Sequence, residues 1–120
     1  MRKENSTNSL NRQLLLRYCG MTYAIGLIGG RWKPSILMSL LEGKLRYSEI
    51  RKVIPGVSER VLVLQLRELE RDGLIHRIVY PAVPPKSEYE LTEEGMSMRP
   101  MLEAIAEWGI SHRPDHEGAD

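Results

Sequence analysis

Three arginines, Arg60, Arg67 and Arg71, recur at spacings of seven and four within one short stretch, SERVLVLQLRELERDG, residues 58–73. A guanidinium is a planar fork of donors that matches phosphate oxygens and the O6/N7 edge of guanine, so arginines aligned on one face suit nucleic-acid contact. On a helix advancing about 100° per residue they fall, with Leu64, roughly opposite Leu62, Leu66 and Leu69. Two readings fit that outer face. Glu59, Glu68 and Glu70 are spaced to pair with the arginines and make a solvated surface. Otherwise the face meets phosphates and base edges. The stretch alone leaves both open.

The other reactive candidate is Cys19, the only cysteine in the chain. It immediately precedes a helix expected to begin near Met21, and a helix N-terminus favours thiolate. An internal disulfide is impossible, so reversible oxidation would give a sulfenic acid, a mixed disulfide with a small thiol, or a bond to Cys19 of a second copy. The alternative is a small, buried, inert residue. His112 and His116 stand four apart, as ligands on a helix can, but Pro114 lies between them and no third ligand is evident, so no metal is expected. The chain shows no glycine-rich phosphate loop, nucleophile elbow or paired-carboxylate arrangement. Neither an enzyme nor a cofactor is expected.

These residues need elements to position them. Residues 1–8 are polar and expected to fray. Ser9 onward, with Leu10 and Leu14 in register, reads as a short helix and, so near a terminus, as a partner surface. Met21 to Ile28 reads as a second short helix, stopped by Gly29-Gly30. Pro34 opens another, where a missing N–H costs nothing, with Ile36, Leu37, Leu40 and Leu41 inside and Gly43 at its end. Leu45 to Tyr47 allows a small strand. Ser48 is placed to cap SEIRKVI, whose apolar side is Ile50, Val53 and Ile54. Pro55-Gly56 breaks the chain, and Ser58 caps the arginine helix. Gly73 and Leu74 fit a Schellman ending packed on Leu69. Two helices joined by a tight turn, the second basic outside, form a helix-turn-helix pattern.

Ile75 to Tyr80 and Ser87 to Leu91 read as strands. The prolines between them stiffen a hairpin tip, because proline is excluded from a central strand. A helix-turn-helix followed by such a hairpin is a winged helix. Thr92 is a plausible cap for a final helix carrying Met98, Met101, Leu102, Ile105 and Trp108 on one face, kinked at Pro100. That face either meets a second copy or closes the domain's own core.

The 120 residues suit one domain, with 42% hydrophobic and 28% charged residues, ordinary for a soluble protein. No apolar run approaches the roughly 18 residues of a membrane span, and the N-terminus lacks a signal-peptide core, so a cytoplasmic location is expected. The net charge of +1 hides an asymmetry: residues 1–87 hold 15 basic and 7 acidic side chains, residues 88–120 hold 2 and 9. A basic body of this kind suits a polyanionic partner.

The segments IGGRWK (28–33), LRYSEIRKVIPGVSERVL (45–62), LRELERDGLI (66–75) and VYPAVPPKSEYELTEEG (79–95) resemble the HxlR-type, MarR-like winged-helix transcription regulators of bacteria over residues 19–112. The resemblance implies a homodimer on double-stranded DNA. The stretch from Ser58 would be the recognition helix in the major groove, and the hairpin a wing on the backbone or minor groove. The first and last helices would build the dimer. It also implies oxidant or electrophile sensing at Cys19, although Gly20 stands where the family usually has proline. At Val63 and Leu64 the family usually carries polar residues; here both are apolar, fit to touch thymine methyls or to mark an altered surface.

The expected fold is therefore α+β and mostly helical: a winged helix-turn-helix over residues 9–112 with N- and C-terminal dimerisation helices and a disordered tail at 113–120. Ser58, Arg60, Val63, Leu64, Arg67 and Arg71, supported by Arg77 and Lys86 on the wing, are the expected DNA contacts. Leu10, Leu14, Met98, Met101, Leu102, Ile105 and Trp108 are the expected dimer contacts. The expected function is a repressor binding an inverted-repeat operator. The alternative is a winged helix that docks proteins through Val63 and Leu64 and binds DNA weakly.

Overall fold

The computed structural model describes residues 2–114, with side chains from Thr7 onward. The tail, including His116, lies outside the described residues. Helix α1 spans Arg2–Ile28. The two short helices expected at Ser9 and Met21 are thus one continuous element, and the residues before Ser9 have helical backbone as well. Between Tyr18 and Met21 only Gly20 disfavours helix, and one glycine costs about 1 kcal/mol without breaking it. α1 and its terminal glycines form one compact unit, and the chain from Arg31 forms a second.

The second unit contains α2 (Lys33–Ser39), β1 (Leu45–Arg46), α3 (Tyr47–Val53), α4 (Glu59–Arg71), β2 (Ile75–Tyr80), β3 (Lys86–Leu91), α5 (Glu93–Met96) and α6 (Arg99–His112). This is the winged helix-turn-helix. The sheet is antiparallel in the order β1-β3-β2, with Ile75 opposite Leu91 and Tyr80 opposite Lys86. Its core gathers Ile36, Leu37 and Leu40 from α2 and the turn after it, Ile50 from α3, Leu62, Leu66 and Leu69 from α4, then Leu74, Ile75 and Leu102. No helix among the described residues is long and apolar enough to cross a membrane.

Two boundaries differ from expectation. α3 starts at Tyr47 rather than after a Ser48 cap. The Glu49 carboxylate accepts from the Arg46 N–H at 2.8 Å, which lets the chain pass straight from β1 into the helix. The expected kinked last helix is two helices. Thr92 caps α5, its hydroxyl accepting from Gly95 N–H at 3.0 Å and donating to the Gly73 carbonyl at 2.7 Å. Pro100 lies in the first turn of α6, where the absent N–H leaves no gap. Gly95 is required by close packing: a β-carbon there would collide with the Leu74 carbonyl oxygen.

Candidate nucleic-acid interface

α4 is held at both ends by the residues that punctuate it. The Ser58 hydroxyl accepts from Val61 N–H at 3.1 Å, satisfying an amide the helix leaves free. At the other end Leu74 N–H donates to Leu69 O and Gly73 N–H to Glu70 O, both at 3.0 Å, with Gly73 at φ +77°. That is a complete Schellman motif, and Leu69 and Leu74 are both buried beside it. Leu62, Leu66 and Leu69 face the core, which turns Arg60, Arg67 and Arg71 outward, all exposed.

Two of the three glutamates expected to neutralise these arginines are engaged elsewhere, and the third, Glu70, is exposed and forms no ion pair among the described residues. Glu68 pairs with Lys33 of α2 at 2.7 Å, and Glu59 approaches Arg51 of α3 at 3.9 Å. Among the described residues, Arg60, Arg67 and Arg71 take part in no ion pair. Leu64, 50% exposed, sits among them, while Val63 is half-buried.

Lys33 is a residue that local sequence patterns did not single out. It is only 9% exposed, and its ammonium ties α2 to α4. Hydrogen bonding to Lys33, and then its charge, hold the Glu68 carboxyl below its ordinary value of 4.5. A carboxyl depressed by folding stabilises the fold above its unfolded value, and that contribution is lost as pH falls through the folded value. Glu68→Gln should therefore lower the melting temperature at neutral pH. The gap from the parent protein should close as the pH is taken below 4.5. A gap independent of pH would mean that the pair contributes no linkage.

The wing divides its basic residues. Arg77 lies opposite Tyr89 in the β2–β3 register, and the Tyr89 phenol feels both Arg77 and Arg67 of α4. Arg77 thus joins the α4 arginines. Lys86 lies one strand position out of phase with Tyr89, so it occupies the other face of the hairpin. There Arg46 of β1, opposite Glu88, shares its hollow. The Tyr80 hydroxyl raises the Lys44 ammonium above its ordinary value on the same edge. Lys44 and Arg46 were not singled out from sequence, because β1 was too short to place them beside the wing. Val83 at the tip is fully exposed.

The other expected sites are only partly brought together. Met98, at the start of α6, and Leu102 within it are buried in the domain's own core and so unavailable to a partner; α6 packs on α2. Ile105 and Trp108 remain exposed, Trp108 by 66%, and Met101 is half-buried. Leu10 and Leu14 are exposed on α1. Cys19 is exposed in the middle of α1, not before a helix start, so no helix N-terminus lies beside its thiol to activate it. His112 stacks on Trp108 at 4.2 Å and 9°, with Nδ1 2.9 Å from the Trp108 carbonyl oxygen. No group of three metal-ligating side chains occurs among the described residues.

The family model for HxlR-like helix-turn-helix proteins matches residues 27–117. An uncharacterized HTH-type transcriptional regulator of Methanothermobacter thermautotrophicus is 53% identical over 101 residues, 84% of this chain and 77% of that one. The HTH-type transcriptional regulator YybR of Bacillus subtilis is 45% identical over 79% of this chain and 76% of its own length. The redox regulator HypR in its oxidized form superposes with a TM-score of 0.76 at 45% identity, over 80% of this chain and 99% of HypR. The reduced form of the transcriptional regulator YodB from B. subtilis gives 0.68 at 33% identity, over 78% of this chain and 92% of that one. The chain belongs to the HxlR-like helix-turn-helix family, whose members are transcriptional regulators rather than enzymes.

Proposed function

We propose that this regulator is a cytoplasmic, homodimeric repressor that recognises an inverted repeat in double-stranded DNA through α4. The observation that carries the reading is the arginine face of α4, left without ion pairs while Glu68 and Glu59 are drawn to α2 and α3. In this reading Arg60, Arg67 and Arg71 meet phosphates and guanine edges, and Val63 and Leu64 meet thymine methyls. The Ser58 cap sets the helix end, and Arg77 and Lys86 follow the backbone along the wing. The exposed apolar faces of α1, with Leu10 and Leu14, and of α6, with Ile105 and Trp108, are offered to a second copy. Met101 stands at the edge of the latter.

The test is the salt dependence of binding to a duplex carrying the preferred site. A dimer neutralising about six to ten phosphates gives a slope of log K against log salt of roughly −5 to −9. A slope near zero would remove phosphate contact from the account.

The reading extends to regulation through Cys19. Its thiol is exposed, and one similar structure is of a redox regulator. Oxidation by diamide would join Cys19 to a small thiol or to Cys19 of a second copy. Operator affinity of the wild type should change on diamide treatment, and that of Cys19→Ser should not. Equal responses of the two proteins would place the effect elsewhere.

A further inference from the structure

Lys33 stands in an unfavourable place for a cation. It is the first residue of α2, the end where the helix dipole favours an anion, and it is only 9% exposed. Lysine is almost never buried without a partner, and Glu68 of α4 supplies one at 2.7 Å. Exchanging a buried ion pair for apolar side chains of similar size is often neutral or stabilising, so folding alone does not call for this one. Its other consequence falls on the outer face of α4. We infer that Lys33 is a positioning residue for nucleic-acid contact: it holds Glu68 toward α2 and thereby leaves Arg71 unpaired.

Helix geometry names the partner that Glu68 would otherwise take. Side chains three and four positions apart on a helix are neighbours, whereas adjoining ones do not face each other. For Glu68 those neighbours are Leu64, Gln65, Arg71 and Asp72, of which Arg71 is the one cation. After hydrogen bonding to Lys33 and the Lys33 charge, Arg71 also draws the Glu68 carboxyl down, so the two side chains already feel one another. The Glu68 side chain is 28% exposed, so without the ammonium it can turn outward and strands no charge in the core. Arg71 is exposed and takes part in no ion pair among the described residues, so it is free to receive it.

An exposed pair between Glu68 and Arg71 is weak by itself. Beside a polyanion it matters more, because contact must either break the pair or bring a carboxylate up to the phosphates. Lys33 thus sets the charge that α4 presents, although it is itself almost closed to solvent. This consequence for affinity rests on the DNA-binding reading; the change of partner at Glu68 does not.

The test is a double-mutant cycle on the full chain, read as affinity for the selected duplex well below the melting temperature of every variant. Lys33→Met removes the charge and keeps an unbranched apolar side chain. It should weaken binding about fivefold, the lower end of what a good arginine contact supplies, and lower the salt slope by about 0.9 for each α4 on the duplex. Glu68→Gln should bind at least as tightly as the parent, and Lys33→Met combined with Glu68→Gln should return to the parent affinity. In an Arg71→Ala background, Lys33→Met should cost nothing further. A double variant as weak as Lys33→Met would overturn the inference, since the loss would then come from a displaced α4. So would a Lys33→Met protein that binds like the parent, or one that loses as much again without Arg71. NMR titration of the Glu68 carboxyl reads the change of partner without DNA. In Lys33→Met, Arg71→Ala should raise the pH at which Glu68 titrates, and by more than it does with Lys33 in place. Equal shifts in the two backgrounds would overturn the change of partner. That change seen in a protein that binds no duplex would refute the DNA reading and leave the pairing of Glu68 as inferred.

Discussion

Arg67→Ala is expected to weaken binding to the preferred duplex by about five- to 150-fold, the range of about 1–3 kcal/mol that a good bidentate contact supplies. Arg67 is exposed at the middle of the α4 outer face, and no carboxylate among the described residues neutralises it. Its removal should therefore leave the melting temperature almost unchanged, since surface positions without such ties shift stability by no more than about 0.5 kcal/mol. The combination is diagnostic. If Arg67 reads a guanine, the loss is concentrated on duplexes with that base and selectivity relaxes there. If it holds a phosphate, every duplex weakens alike and the salt slope falls by about 0.9 for each phosphate no longer neutralised. A weakening under twofold would return α4 to a merely solvated face.

Leu66→Ala is expected to cost about 2–5 kcal/mol of folding stability, read from urea or thermal unfolding. Leu66 is 2% exposed and lies between Leu62 and Leu69 on the inner stripe of α4, so its truncation removes apolar burial and leaves a cavity that the neighbours only partly fill. A domain of this size holds only about 5–15 kcal/mol in all. Leu64 stands two residues earlier on the opposite side. Leu64→Ala should leave stability within about 0.5 kcal/mol and instead alter preference at a thymine in the selected site. Matching stability losses at both positions would mean that α4 is rotated from the orientation described, and the arginine face with it.

The parts of this fold legible in the sequence were those governed by local rules. Ser58, Gly73 and Leu74 announce the ends of α4 because a cap hydroxyl and a left-handed glycine act within a few residues, and the structure has each bond. The hairpin was legible because the prolines between residues 81 and 85 exclude any central strand there. What escaped depended on distance. Lys33 looked like a surface lysine until α2 packed against α4 and brought Glu68 to it. Lys33 also draws Glu68 away from the arginine face, a choice that local spacing had left open. Met98 and Leu102 share a face with Ile105 and Trp108 on a single continuous helix. Once α5 and α6 separate, the first pair turns into the core and the second stays outside. Cys19 was placed wrongly for a related reason: no proline interrupts α1, so no helix begins beside the thiol. Gly95 carried no signal, because what it avoids is the Leu74 carbonyl, 21 positions away in the chain.

The proposed function depends on α4 reading sequence, and the sharpest test is selection of bound duplexes from a random pool by the purified full chain. Enrichment of an inverted repeat is expected, with half-sites about 34–36 Å apart or a multiple of that, as two recognition helices on one face of DNA require. Arg67→Ala should relax it at one symmetric pair of positions. A pool that emerges without any enriched motif would refute sequence reading by α4 and leave its exposed Leu64 face as a surface for a protein partner.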